Sequence, residues 1–174
     1  MTPRTATAVA PALTGTQAEV GLVRVLVADD HPLFRRGIRM SLECHPEIAV
    51  IGEAADGEQA LRLIDELEPD VAVLDYRMPG LTGAEVCAAL SARADRPATA
   101  LLLLSAYQDA ELVWAAVSAG AAGYVAKSAP AEEICDAVVR VGRGGIAYSE
   151  RAAAGVAEGL ARHFGGEPPE RRGN

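Results

Sequence analysis

The 174-residue chain carries a net charge of −8, is half apolar, and contains only three cysteines. Its length suffices for one domain with a true core and some spare chain. The acidic balance argues against general attraction to nucleic acid, and no apolar run nears the ~20 residues of a bilayer span.

Residues 1–21 are rich in Ala, Thr and Pro, with Arg4 and Glu19 as charged residues. That composition predicts a disordered leader, not a signal peptide. From Leu22 to about Val141, short β-branched or Leu-rich runs alternate with longer amphipathic stretches. Strands are predicted at 23–28, 48–54, 70–75, 99–104 and 123–126, and helices at 32–43, 57–67, 84–93, 109–119 and 131–141. Strands separated by helices of this length pair in parallel through right-handed crossovers. The unbroken apolar character of 71–74 and 100–104 marks strands buried on both faces.

Boundary residues support these assignments. Asp30 is placed to cap the first helix, with Pro32 in its first turn. Asp56-Gly57-Glu58 and Asp109-Ala110-Glu111 bring acidic residues to helix starts, and Gly120 and Gly142 stand where C-terminal caps occur. Gly142-Arg143-Gly144-Gly145 ends the compact region. An amphipathic helix is expected from Ser149 to about Phe164, with Val156 and Leu160 on one side, and the tail 165–174 is expected to be disordered.

Cys44, Cys87 and Cys135 are far apart, with no CxxC and no Cys/His cluster. Thiolate metal chemistry and a disulfide framework are therefore not expected, and a reduced, cytoplasmic setting is. His31, His45 and His163 are read as structural or solvent-facing. The pairs Arg35-Arg36 and Arg171-Arg172 read as solvated surface.

The informative residues stand at predicted strand ends. Asp29-Asp30 follow the first strand, Asp75 the third, Ser105 the fourth and Lys127 the fifth. In an open parallel sheet these carboxyl ends share one edge, where ligands bind. Three carboxylates, a hydroxyl and an ammonium on one edge suit a phosphoryl group and a divalent cation. Singly each is weak evidence, since an Asp pair before a helix is more often a cap and Asp before Pro-Gly a turn former.

This ordered set, with Met78-Pro79-Gly80 after Asp75, resembles the receiver domain of two-component response regulators over about residues 22–143. Asp29-Asp30-His31-Pro32-Leu33-Phe34-Arg35-Arg36-Gly37 and the ending Gly144-Gly145…Tyr148-Ser149 are similar to the NarL/FixJ subfamily. The resemblance implies an α/β, flavodoxin-like (βα)5 three-layer sandwich whose five-stranded parallel sheet has the order 2-1-3-4-5. It also implies that Asp75 accepts a phosphoryl group from a sensor histidine kinase. Mg²⁺ would be held by Asp29, Asp30, Asp75 and the Arg77 backbone carbonyl, with Asp30 the more direct ligand. Lys127 and Ser105 would contact phosphoryl oxygens, and Ser105 with Tyr124 would form a switch in which the ring turns inward. The surface of the fourth helix, fifth strand and fifth helix would then change. Arg77 and Tyr107 would tune loss of the phosphoryl group.

Two departures accompany the resemblance. Ser105 stands where many relatives carry Thr, and Ser128, not Pro, follows Lys127. Relatives also append a LuxR-type helix-turn-helix domain, whereas only 29 residues follow Gly145. DNA contact is thus expected only through a domain absent from this chain, with residues 144–164 as a linker. Homodimerisation and control of transcription are expected of the full-length protein, and no membrane association. Two alternatives stay open within the fold: a stand-alone or phosphorylation-independent receiver acting by protein contacts, and an Asp-nucleophile phosphohydrolase. The second normally carries Asp-x-Asp after the first strand, where this chain has adjacent Asp29-Asp30. A flavodoxin would want a Ser/Thr-rich phosphate loop there.

Overall fold

In the computed structural model, residues 21–107 and 109–164 are described. The expected disordered tail, and all of the leader but Gly21, lie outside them. The elements in chain order are β1 (Val23–Ala28), α1 (Pro32–Glu43), β2 (Ile48–Ala54), α2 (Gly57–Leu67), β3 (Val71–Asp75) and α3 (Gly83–Ser91). They continue with β4 (Ala100–Ser105), α4 (Ala110–Ser118), β5 (Gly123–Ala126), α5 (Ala131–Gly142), β6 (Ala147–Tyr148) and α6 (Glu150–Phe164).

All strands pair in parallel in the order β2-β1-β3-β4-β5-β6. The five expected strands therefore hold the flavodoxin-like order, and β6 adds a sixth at the edge through Gly123↔Ala147 and Tyr124↔Tyr148. A two-residue strand has no periodicity to read, so only tertiary pairing defines it.

Two cores form, one on each sheet face, because alternate residues of a strand point to opposite sides. Leu26, Leu74, Leu101 and Leu103 face Ile64, Val86 and Leu90 of α2 and α3. Val25, Val27, Val73, Leu102 and Leu104 face Ile38, Leu42, Ile134 and Val138 of α1 and α5. Every residue of β3 is buried, which fixes Asp75 at the end of a strand with no freedom to shift register.

Two boundary expectations are corrected. The N-cap of α1 is His31, without a side-chain cap, because the Asp29 carboxylate takes the His31 N–H and Asp30 turns toward its acidic neighbours. Gly142 is the last residue of α5 and not a cap; a Cβ there would lie 2.6 Å from Val23 Cγ1, so it is the close approach to β1 that needs glycine. Gly144, at φ 82°, takes the left-handed turn instead.

Gly83 opens α3 directly beneath the phosphoacceptor position expected from the sequence. Thr82 and Glu85 close a reciprocal capping box there, and a Cβ on Gly83 would lie 2.6 Å from the Asp75 carbonyl and from Leu103 Cδ2. Gly83→Val is therefore expected to overpack this contact and to lower unfolding stability by about 1–3 kcal/mol in urea titration. An unchanged midpoint would show that α3 does not press against Asp75.

Candidate functional site

The strand register delivers the polar residues to one edge. Asp29 follows β1, Asp75 ends β3, Ser105 ends β4 and Lys127 follows β5, whose Ala126 pairs with Ser105. Asp29, Asp75 and Ser105 are 2%, 5% and 1% exposed, so charge here is largely withheld from water.

Lys127 organises the group. Its Nζ lies 2.6 Å from Asp29 Oδ2 and 2.7 Å from Asp75 Oδ2, and 4.5 Å above the Phe34 ring. The second oxygen of each aspartate accepts a backbone N–H two residues on, Asp29 Oδ1 from His31 at 2.8 Å and Asp75 Oδ1 from Arg77 at 3.2 Å. Burial raises the Asp75 pKa above the usual carboxylate range despite the Lys127 hydrogen bond. For Lys127 burial acts downward, yet its bonds to Asp29 and Asp75 outweigh it and hold the ammonium above its ordinary value.

Asp30 differs. Its Oδ1 is buried without a hydrogen-bond donor; His31 Nδ1 stands 2.8 Å away, a contact that pairs charges only when the imidazole is protonated. Ligand atoms of Asp29, Asp30, His31 and Asp75 all lie within 4.8 Å of one another. An acceptor left without a donor beside two further carboxylates fits a hard divalent cation, which takes oxygen ligands.

Ser105 and Tyr124 hold the same residue through its two flanking peptide groups. Ser105 Oγ accepts the Tyr107 N–H at 3.0 Å, and the Tyr124 hydroxyl donates to the Tyr107 carbonyl at 2.7 Å. Tyr124 is fully buried and meets Tyr76 edge-on, with ring centroids 6.2 Å apart. The ring therefore already occupies the inward position. Tyr107 is 46% exposed, and the Arg77 guanidinium lies 4.4 Å from its ring centroid. The two positions flanking the site are thus in direct cation–π contact. No cis peptide bond occurs among the described residues, so Lys127-Ser128 is trans.

The structure brings together every residue singled out at the strand ends. It adds two without an assigned site role: His31, read as structural or solvent-facing, is 70% exposed in its side chain yet part of the acidic cluster, and Phe34 lies beneath the Lys127 ammonium. The signal for His31 was its position directly after the Asp pair; Phe34 entered only as part of the motif Asp29–Gly37.

The raised Asp75 pKa has a defined consequence for stability. A carboxyl titrating higher when folded favours the fold at low pH, and that contribution is lost as pH rises from the unfolded value near ~3.9 through the folded one. Asp75→Asn should therefore gain stability relative to wild type as pH rises across this window, and then level off. Paired urea titrations from acid to neutral pH check this; a difference independent of pH would contradict it.

Comparison with known proteins agrees with this geometry. Residues 25–139 match the response regulator receiver domain family. The "Probable transcriptional regulatory protein NarL" of Mycobacterium tuberculosis (strain ATCC 25618 / H37Rv) is 47% identical over 122 residues, covering 70% of this chain and 56% of that protein. The transcriptional regulatory protein LiaR of Bacillus subtilis (strain 168) is 36% identical over 144 residues, 83% of this chain and 67% of that protein. The solved signal receiver domain of the response regulator NarL from M. tuberculosis superposes with a TM-score of 0.69 at 45% identity, covering 71% of this chain and 98% of that one. The chain thus spans little more than half the length of the first of these relatives. The match is to a receiver and not to a catalytic enzyme such as a phosphohydrolase. The fold, the strand-end carboxylates and the match over 25–139 together assign this chain to the response regulator receiver family, among relatives of NarL type.

Proposed function

We propose that Asp75 is the phosphoacceptor of a two-component relay, with Mg²⁺ held by Asp29, Asp30, Asp75 and the Arg77 backbone carbonyl. One observation carries this reading: Lys127 bridges Asp29 and Asp75 while the neighbouring Asp30 Oδ1 lacks a donor. The cation would neutralise the carboxylates and the incoming phosphoryl oxygens.

An Asp75 oxygen attacks phosphorus, the bond to the donor imidazole of a sensor histidine kinase breaks, and an acyl phosphate forms. Lys127, already 2.7 Å from Asp75 Oδ2, passes one hydrogen bond to a phosphoryl oxygen. Ser105 turns its hydroxyl hydrogen toward a second oxygen. Because Ser105 Oγ also accepts the Tyr107 N–H, that movement draws the Tyr107 backbone with it, and Tyr124 follows through its bond to the carbonyl of the same residue. Tyr107 and Arg77, in contact beside the site, shield it from attacking water and lengthen the life of the acyl phosphate. In this reading residues 22–143 are the receiver and 144–164 the linker. The full-length protein is a cytoplasmic transcription regulator that dimerises and reaches DNA through another domain. Among the described residues no helix is long and apolar enough to cross a membrane.

Incubation with acetyl phosphate and Mg²⁺, followed by intact mass, tests the assignment. One phosphoryl mass should be gained by wild type and by Tyr107→Ala, and none by Asp75→Asn or in the presence of chelator; the gain should decay faster in Tyr107→Ala. Unmodified wild-type protein, or an equal gain in Asp75→Asn, would overturn the assignment.

A further inference from the structure

His31 enters the site from a pinned backbone. Its N–H donates to Asp29 Oδ1 at 2.8 Å, its carbonyl accepts the Arg35 N–H at 3.0 Å, and Pro32 follows it in the first turn of α1. A residue before proline is confined to extended backbone, and His31 holds φ −90° and ψ 105°. The direction of its Cα–Cβ bond is thereby fixed, and Nδ1 stands 2.8 Å from Asp30 Oδ1 and 3.4 Å from Asp29 Oδ1.

At 2.8 Å a ring nitrogen and a carboxylate oxygen form a hydrogen bond if they are aligned, yet Asp30 Oδ1 has no donor. The nitrogen points beside the oxygen, not at it. Two ligands at right angles on one octahedral cation, each bonded at about 2.1 Å, stand about 3 Å apart and aim at the ion instead of each other. The Asp30–His31 contact has that spacing. Ligand atoms of Asp29, Asp30, His31 and Asp75 all lie within 4.8 Å of one another, and opposite ligands on such an ion are about 4.2 Å apart. Both Asp29 oxygens are engaged, one by Lys127 and one by the His31 N–H, which leaves the position beside Asp30 to the imidazole.

We propose, resting on the cation site assigned above, that His31 is a nitrogen ligand of the divalent ion and sets which ion binds. An all-oxygen set suits Mg²⁺, whereas an imidazole beside carboxylates favours Co²⁺, Ni²⁺ and, less strongly, Mn²⁺. The receiver therefore takes such an ion at concentrations where Mg²⁺ binds little. The His31 side chain is 70% exposed while Asp29 and Asp75 are buried, so the imidazole meets the ion at the mouth of the site. Its loss costs Mg²⁺ little, because that ion keeps several waters and replaces the nitrogen with one more.

Mn²⁺ is the probe, because its electron paramagnetic resonance counts the free ion and its spin-echo modulation registers a bonded nitrogen. The full chain is titrated with Mn²⁺, and Mg²⁺ or Co²⁺ is then added to displace it. Wild type should bind one Mn²⁺ with a nitrogen coupling, and Co²⁺ should displace it at concentrations at least about tenfold below those of Mg²⁺. His31→Ala should lose the coupling and weaken Co²⁺ at least about tenfold, with Mg²⁺ affinity nearly unchanged. His31→Asn, which offers an oxygen but no imidazole, should do the same. His45→Gln, outside the cluster, should match wild type. Bound Mn²⁺ without nitrogen coupling, or a coupling that survives His31→Ala, would overturn the imidazole ligand and leave the cation site standing. Equal weakening of Mg²⁺ and Co²⁺ in His31→Ala would also overturn it. Wild-type protein that binds no Mn²⁺ would remove both.

Discussion

One ammonium holds this site together. Two carboxylates about 4 Å apart repel by about 4 kcal/mol at an effective dielectric of about 20, and each attracts an ammonium at that distance by as much. A lysine between two aspartates therefore has two attractions against one repulsion. That balance allows Asp29 and Asp75 to sit 2% and 5% exposed at neighbouring strand ends. It does not erase the cost, since burial still raises Asp75. The site thus carries excess negative charge, concentrated near the donorless Asp30 oxygen, and a cation with a phosphoryl group would relieve it.

The rest of the molecule supplies position. Parallel strands buried on both faces leave their last residues no alternative register, so Asp75 and Ser105 are held by the cores beneath them. From Ser105 the constraint passes through one residue, Tyr107, bonded to Ser105 on its N–H and to Tyr124 on its carbonyl. That shared residue joins the strand-end site to the segment entering α4. The link is short and made of hydrogen bonds, suited to a two-state displacement.

How much was readable beforehand follows from where each signal resides. β1 to β5 were visible because runs such as 71–74 and 101–104 are apolar throughout and are separated by helices of fixed period, whereas their order came only with the family resemblance. The site residues were visible because each follows such a run. β6 was not, since two residues carry no pattern. The packing face of α6 was legible only in part: Val156 packs against the core, but Leu160 is 44% exposed, and the contact is completed by glycines that admit an indole, which apolar periodicity does not register. The inward Tyr124 and the Arg77–Tyr107 contact depend on side-chain placement across two loops and β5, which no local pattern encodes.

The central claim is that Lys127 and the acidic cluster form a phosphoryl-accepting site that takes a divalent cation. A crystal structure with Mg²⁺ and beryllofluoride tests it most directly. The account predicts beryllium bonded to Asp75, the metal on Asp30 and its neighbours, and Lys127 Nζ moved from Asp75 to a fluorine. Beryllofluoride on another carboxylate, or Lys127 still bridging Asp29 and Asp75 with no metal beside them, would contradict it.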